Sequence, residues 1–140
     1  MGQLFQRPYE THLKPYEILT EVIFPKLSSS YRHGFVRLAR REAMAIARMN
    51  VAVALKMEHG RIADIRISVG SITPTPQRMS EAESMMVGRS VSEDSLKEAS
   101  LNISKTMIRL SGVRPSTSYK KPVVESLFLR AIKQAMEGST

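Results

Sequence analysis

The sequence predicts an α+β fold in which an antiparallel sheet of three to four strands packs against a layer of about three helices. Three observations lead there. Two arms with alternating apolar and polar residues meet at a glycine turn, "NVAVALKM" and "IADIRISVG" around "EHGR". Towards the end of the chain, apolar residues recur instead in steps of three and four. Finally, the strand-like segments come first and the helix-like segments follow.

Residues 1–16 read as a junction or N-terminal appendage, and residues 17–138 as one domain. "EILTEVIFP", Glu17 to Pro25, is rich in β-branched residues and predicts a short strand stopped by Pro25. "KLSSS" is a turn, and "YRHGFVRLARR" predicts a strand leading into a loop. In the hairpin, Val51, Val53, Leu55 and Met57 share one face while Ala52 and Ala54 take the other. On the return arm Ile65, Ile67 and Val69 oppose Asp64, Arg66 and Ser68, with Gly60 free to adopt positive φ in the turn.

The stretch "VGSITPTPQRMSEAESMMVG" follows. Pro74 and Pro76 lack the N–H that a ladder or a helix interior requires, so it reads as a connector. Ser80 with Glu83 has the spacing of a capping box, and Gly88 supplies the stop of a two-turn helix. Ser92 is the expected cap of a second helix. Glu93 and Asp94 complement its dipole, and Leu96, Ala99, Ile103, Met107 and Leu110 form its stripe before Gly112 closes it. A third helix buries Val123, Val124, Leu127, Phe128, Ala131, Ile132 and Ala135. It should begin between Ser118 and Pro122, because proline belongs in a first turn.

The net charge of +8 calls for an anionic partner: a nucleic acid, a phosphate-bearing cofactor or an acidic protein surface. With no cysteine, thiolate catalysis, disulfides and cysteine-ligated metal centres are excluded. His12, His33 and His59 are far apart in sequence and lack metal-ligand spacing, so each reads as a solvated surface residue. Glu81 and Glu83 lie two apart on a helix and diverge, so they are no acid–base pair. Ser116, Thr117 and Ser118 have no histidine nearby in sequence to act as a base. The connector's glycines are not bunched before a helix and no lysine follows them, so it lacks the pattern of a phosphate loop.

In order, "RREAMAIARMNVAVAL", "IADIRISVGSITPTPQRMSEAE" and "SYKKPVVESLFLRAI" resemble the C-terminal domain of the FAD-binding medium subunit of molybdenum hydroxylases, the xanthine and carbon monoxide dehydrogenase group. The matching residues are Arg40 and Arg41, Gly70 and Pro76, Glu83 and Gly88, Ser116, Tyr119 and Lys120, then Arg130 and Ala131. The opening "FQRPYETHLKPYEILTEVIFP" resembles the junction at which the flavin-binding portion of that family ends. Two positions depart from the family pattern. Gly112 stands where an acidic residue is common, and Lys120 where the "S-x-x-Y-R" segment ends in arginine.

The resemblance implies a non-catalytic part of an oxidoreductase that covers FAD and docks partner subunits during electron transfer. By position it points to Phe35, Arg37 and Arg41 beside the isoalloxazine ring, with Tyr119 facing the flavin or a partner. An aromatic edge there packs on the flavin, and a fixed cation favours its reduced, anionic form. The competing reading makes Phe35 a core residue, leaves the arginines solvated or paired with Glu42, and tucks the Tyr119 ring inward. Pyrophosphate-holding glycine loops belong to the preceding domain of the family, so FAD is shared with a missing flavin-binding domain or chain. The chain would then be a fragment, a split subunit or a lone copy. Further implied partners are a molybdopterin large subunit and an iron–sulfur small subunit in a cytoplasmic complex without membrane attachment, with self-association a further expectation. The alternative is a basic nucleic-acid-binding or assembly module without redox activity, resting on Arg32, Arg37, Arg40, Arg41, Arg48, Lys120 and Lys121 but lacking any recognised nucleic-acid motif.

Overall fold

The computed structural model describes residues 4–41 and 44–138. Its main body is a four-stranded antiparallel sheet, β3 (Tyr31–Leu38), β4 (Met49–Glu58), β5 (Arg61–Gly70) and β6 (Gln77–Arg78), lying in chain order. Of the three helices, α1 (Ser80–Met86) and α3 (Thr117–Glu137) pack against this sheet, and α2 (Glu93–Ser111) packs against both of them. A separate two-stranded ribbon, β1 (Phe5–Arg7) with β2 (Glu10–Thr11), stands at the start, where the sequence suggested only an appendage.

The hairpin forms as its alternation dictates. Met49, Val51, Val53 and Leu55 are buried on β4, facing the helices together with Ile65, Ile67 and Val69 of β5. His59 and Gly60 both take positive φ, 49° and 75°, which matches the twist of the two-residue turn to that of the strands. Near that turn the register slips between Lys56 and Met57, so Met57 pairs with Ile62 while Lys56 pairs with Asp64. The extra residue, Ala63, is a bulge. It puts Ile62 into the core and leaves Met57, expected inside, only half-buried.

Three expectations are corrected. Glu17 to Pro25 is no strand, because strand pairing needs a neighbour and neither sheet includes the segment. Ser80 does not cap α1: the N-cap position is Met79 and no side chain caps it. Glu83 turns its carboxylate away from the helix start, accepting the Ile67 N–H at 2.7 Å and a forked contact from Arg78 at 2.9 and 2.7 Å. That bidentate pairing outcompetes a backbone cap and ties α1 to β5 and β6. The third correction concerns α3, which starts at Thr117, so Pro122 lies in its second turn. The Thr117 hydroxyl accepts the Arg114 N–H at 2.8 Å and its own N–H reaches the Arg114 carbonyl at 2.9 Å, bonds that set the first turn ahead of the proline.

Helix α2 is capped by Ser92, whose hydroxyl accepts the Ser95 N–H, while the Ser95 hydroxyl accepts the Ser92 N–H in return. Its stripe is more polar than the sequence suggested. Ser95, Ser100, Ser104 and Thr106 are buried beside Ala99, Ile103 and Met107, whereas Leu96 and Leu110 are half-buried. The Ser100 and Ser104 hydroxyls donate to carbonyls three residues back, which satisfies them inside the helix pair. On α3 the expected stripe holds from Val124 to Ala135, with Phe128 fully buried at its centre and Val123 only half-buried.

Candidate functional site

Alternation along β3 decides what its side chains face. Gly34 lies against α3 so closely that a Cβ there would stand 2.0 Å from the Ala131 carbonyl oxygen. Its neighbour Phe35 therefore points away from the helices and is 54% exposed, with the small Ala52 opposite it on β4. The core reading of Phe35 is thus wrong: packing on that side needs no side chain at all. The backbone N–H of Phe35 points off the free edge of the sheet and donates to Gln134 Oε1 at 2.9 Å.

Arg37 shares the open face with Phe35, pairing in register with Asn50, which in turn pairs with Gly70. Beyond β3 the chain turns back, and Arg37, Ala39, Arg40 and Arg41 line a cleft of about 440 Å³. Arg41 donates through Nε and Nη2 to the Met44 carbonyl at 3.2 and 2.8 Å, which fixes its guanidinium across the loop. The proposed pairing with Glu42 lies outside the described residues.

Tyr119 occupies the first turn of α3, and its ring is 48% exposed instead of tucked inward. The next residue, Lys120, donates from Nζ to the Ser71 carbonyl at 3.1 Å, so this turn sits beside the end of β5. Arg37, Asn50 and Gly70 form one row across the sheet, so the arginine cleft and the entrance of α3 both lie at the end remote from the His59–Gly60 turn. The structure brings Arg37 and Arg41 into one cleft. Phe35 stands next to it on the open face, and Tyr119 belongs to the other side of the same end.

Between β5 and α3 lies the larger cavity, about 460 Å³, and it was not read from the sequence. The connector residues Ser71 to Pro76 form one wall, and Ser111, Arg114, Thr117 and Lys120 the opposite one. Among the described residues, two cations and no carboxylate line it. The only local hint is the density of hydroxyls and prolines in "SITPTP". It reads as a loop by turn chemistry, and only the tertiary fold carries α2 and α3 across it.

On the open face Tyr31 donates its hydroxyl to Asp64 Oδ2, and Arg66 Nε approaches the same oxygen at 3.2 Å. The Tyr31 hydroxyl, and after it Arg66, hold the Asp64 carboxyl below the usual carboxylate range against the opposing effect of partial burial. Hydrogen bonding to Asp64 pushes the Tyr31 phenol above its ordinary value. Arg109 and then Asn102 hold Glu81 low, on the far side of α1 from Glu83, so these two carboxylates diverge as the spacing required. His12, His33 and His59 are all exposed, and no group of three metal-ligating side chains occurs among the described residues.

What this end of the domain can accept follows from its groups. A half-exposed aromatic beside a small residue offers a flat apolar contact, and the neighbouring guanidiniums attract negative charge. These features fit the ring of a flavin.

Residues 34–135 match the CO dehydrogenase flavoprotein C-terminal domain family. The nicotine 6-hydroxylase medium subunit of Paenarthrobacter nicotinovorans is 33% identical over 94% of this chain and 46% of its own length. The glyceraldehyde dehydrogenase medium chain of Sulfolobus acidocaldarius is 28% identical over 93% of this chain and 46% of its own. Among solved structures, carbon monoxide dehydrogenase from Hydrogenophaga pseudoflava superposes with a TM-score of 0.84 at 20% identity, covering 97% of this chain and 47% of that one. The chain therefore spans about half the length of the relatives it matches.

Proposed function

Because the chain belongs to the CO dehydrogenase flavoprotein C-terminal domain family, we propose that it is the C-terminal part of the FAD-binding subunit of a molybdenum hydroxylase. Residues 1–16 form its junction to a flavin-binding portion, and residues 17–138 cover the flavin and dock the molybdopterin and iron–sulfur subunits of a cytoplasmic complex. No helix among the described residues is long and apolar enough to cross a membrane. The observation that carries the reading is the open end of β3, where an outward-facing aromatic stands next to a cleft ringed by arginines.

When bound, the flavin supplies electron transfer. Phe35 would hold the isoalloxazine by apolar contact with its exposed ring, and Arg37 and Arg41 would supply the fixed positive charge that favours the reduced, anionic flavin. Tyr119 closes the same end from the α3 side. The nucleotide tail is held elsewhere, so this chain alone is expected to bind FAD weakly and to catalyse nothing. The comparisons lend no support to the nucleic-acid alternative.

The test is to co-express the 140-residue chain with the part of the nicotine 6-hydroxylase medium subunit that lies outside the match, and to add FAD. Flavin retained by the pair but not by this chain alone is the expected result. Arg37→Gln and Arg41→Gln should each make the bound flavin harder to reduce, and Phe35→Ala should weaken its retention. Sub-micromolar FAD binding by the chain alone, or a potential indifferent to both arginine variants, would overturn the proposal.

A further inference from the structure

From the unpaired segment Ile18–Phe24 we infer that it is a docking strand, completed by a β-sheet in the portion of the flavoprotein that this chain does not span. The inference rests on the functional reading above and adds to it the surface through which the two portions join.

The segment has a strand's composition without a strand's partner. Ile18, Val22, Ile23 and Phe24 contribute β-branched and aromatic side chains, and no helix or turn occupies the segment. Yet among the described residues no hydrogen bond, backbone or side-chain, involves residues 18–27. The nearest turn bonds are Glu17 N–H to the Lys14 carbonyl and Tyr31 N–H to the Ser28 carbonyl. Ile18 is 81% exposed, Ile23 83% and Phe24 78%. Solvated strand edges are normally short, charged or covered, whereas this one is apolar with its amides free.

The pattern also specifies the occupant. Ile18, Val22 and Phe24 fall on one side of an extended chain, Leu19 and Ile23 on the other. Apolar residues on both sides describe a strand covered on both faces, the environment inside a layered domain. Pairing with a second copy of the same segment would give only a two-stranded ribbon with both faces still wet. A larger sheet with its own covering layer meets the requirement, and this chain's own sheet does not reach the segment. The relatives supply the place for such a sheet. They match 93–94% of this chain, while more than half of their own length lies outside the match. The carbon monoxide dehydrogenase fold follows 97% of this chain, so its likeness extends beyond the helices and main sheet into the N-terminal region.

Hydrogen–deuterium exchange on the full 140-residue chain, alone and co-purified with the part of the nicotine 6-hydroxylase medium subunit outside the match, tests the inference. Alone, the amides of residues 18–24 should exchange at rates close to those of unstructured peptide. In the complex they should slow by at least a hundredfold. Val22→Pro and Ile23→Pro each remove one amide, and successive amides point to opposite edges, so at least one variant should weaken the complex tenfold or more. Neither should change the unfolding midpoint of the isolated chain. A complex that holds FAD while residues 18–24 still exchange freely overturns this inference and leaves the functional proposal standing. Protection in the isolated monomer, protection that grows with its own concentration, or failure of the two portions to associate also overturns it.

Discussion

Gly34→Ala tests the claim that β3 is positioned by direct backbone contact with α3. The added Cβ would lie 2.0 Å from the Ala131 carbonyl oxygen and 3.1 Å from the Ala135 nitrogen. Ordinary contact begins near 3.4 Å, so one helical turn must retreat by about 1.4 Å. Neither neighbour is a flexible side-chain tip that could step aside. Retreat would loosen α3 along Phe128 and Ile132, which are buried against the sheet. Overpacking of this kind costs about 3 kcal/mol, which for a domain of this size lowers the thermal midpoint by roughly 10 °C. Urea and thermal unfolding followed by circular dichroism would measure it. Gly60→Ala is the control: φ is +75° with open space around it, so only the left-handed backbone is penalised, by about 1 kcal/mol. A Gly34→Ala protein within about 0.5 kcal/mol of wild type, the usual range of a neutral surface change, would refute the close-approach argument.

Two further substitutions probe the polar ties. Glu83→Gln keeps the shape of a buried side chain but removes the charge that Arg78 grips from two sides. It should cost about 2 kcal/mol in urea unfolding, whereas Glu81→Gln on the exposed side of α1 should be indistinguishable from wild type. Tyr31→Phe removes the strongest influence lowering the Asp64 pKa. A depressed carboxylate stabilises the fold above its unfolded pKa of about 3.9 and loses that contribution as pH falls through the folded value. The stability gap between wild type and Tyr31→Phe should therefore be constant from about pH 5 to 8 and close under more acid conditions. A gap that widens on acidification would contradict the assigned partner.

The hairpin and the stripe of α3 were legible because period two and period 3.6 are local properties of a chain with one wet and one dry side. The bulge at Ala63 was not, since an inserted residue is visible only against its partner strand. Ser80 and Glu83 illustrate competition: their spacing suits a cap, but an arginine brought in by β6 offered the carboxylate two charged donors. Phe35 shows a related limit. An aromatic beside a glycine looks like core until α3 is seen to occupy the glycine's side. The arginine cleft was legible as a run of cations, and Tyr119 as a helix-entrance residue. The cavity walled by the connector depended on three distant segments meeting, which no window of sequence contains.

The bond from the Phe35 amide to Gln134 has a bearing on how the domain stays out of aggregates. β3 is the long outer strand of the main sheet, and its free rim would otherwise invite the rim of another molecule. The last turns of α3 lean over that rim, with Gln134 taking an outward amide and Arg32 reaching the Met136 carbonyl. The end of the final helix thus works as a guard rail, and trimming it would leave a folded core with an adhesive border.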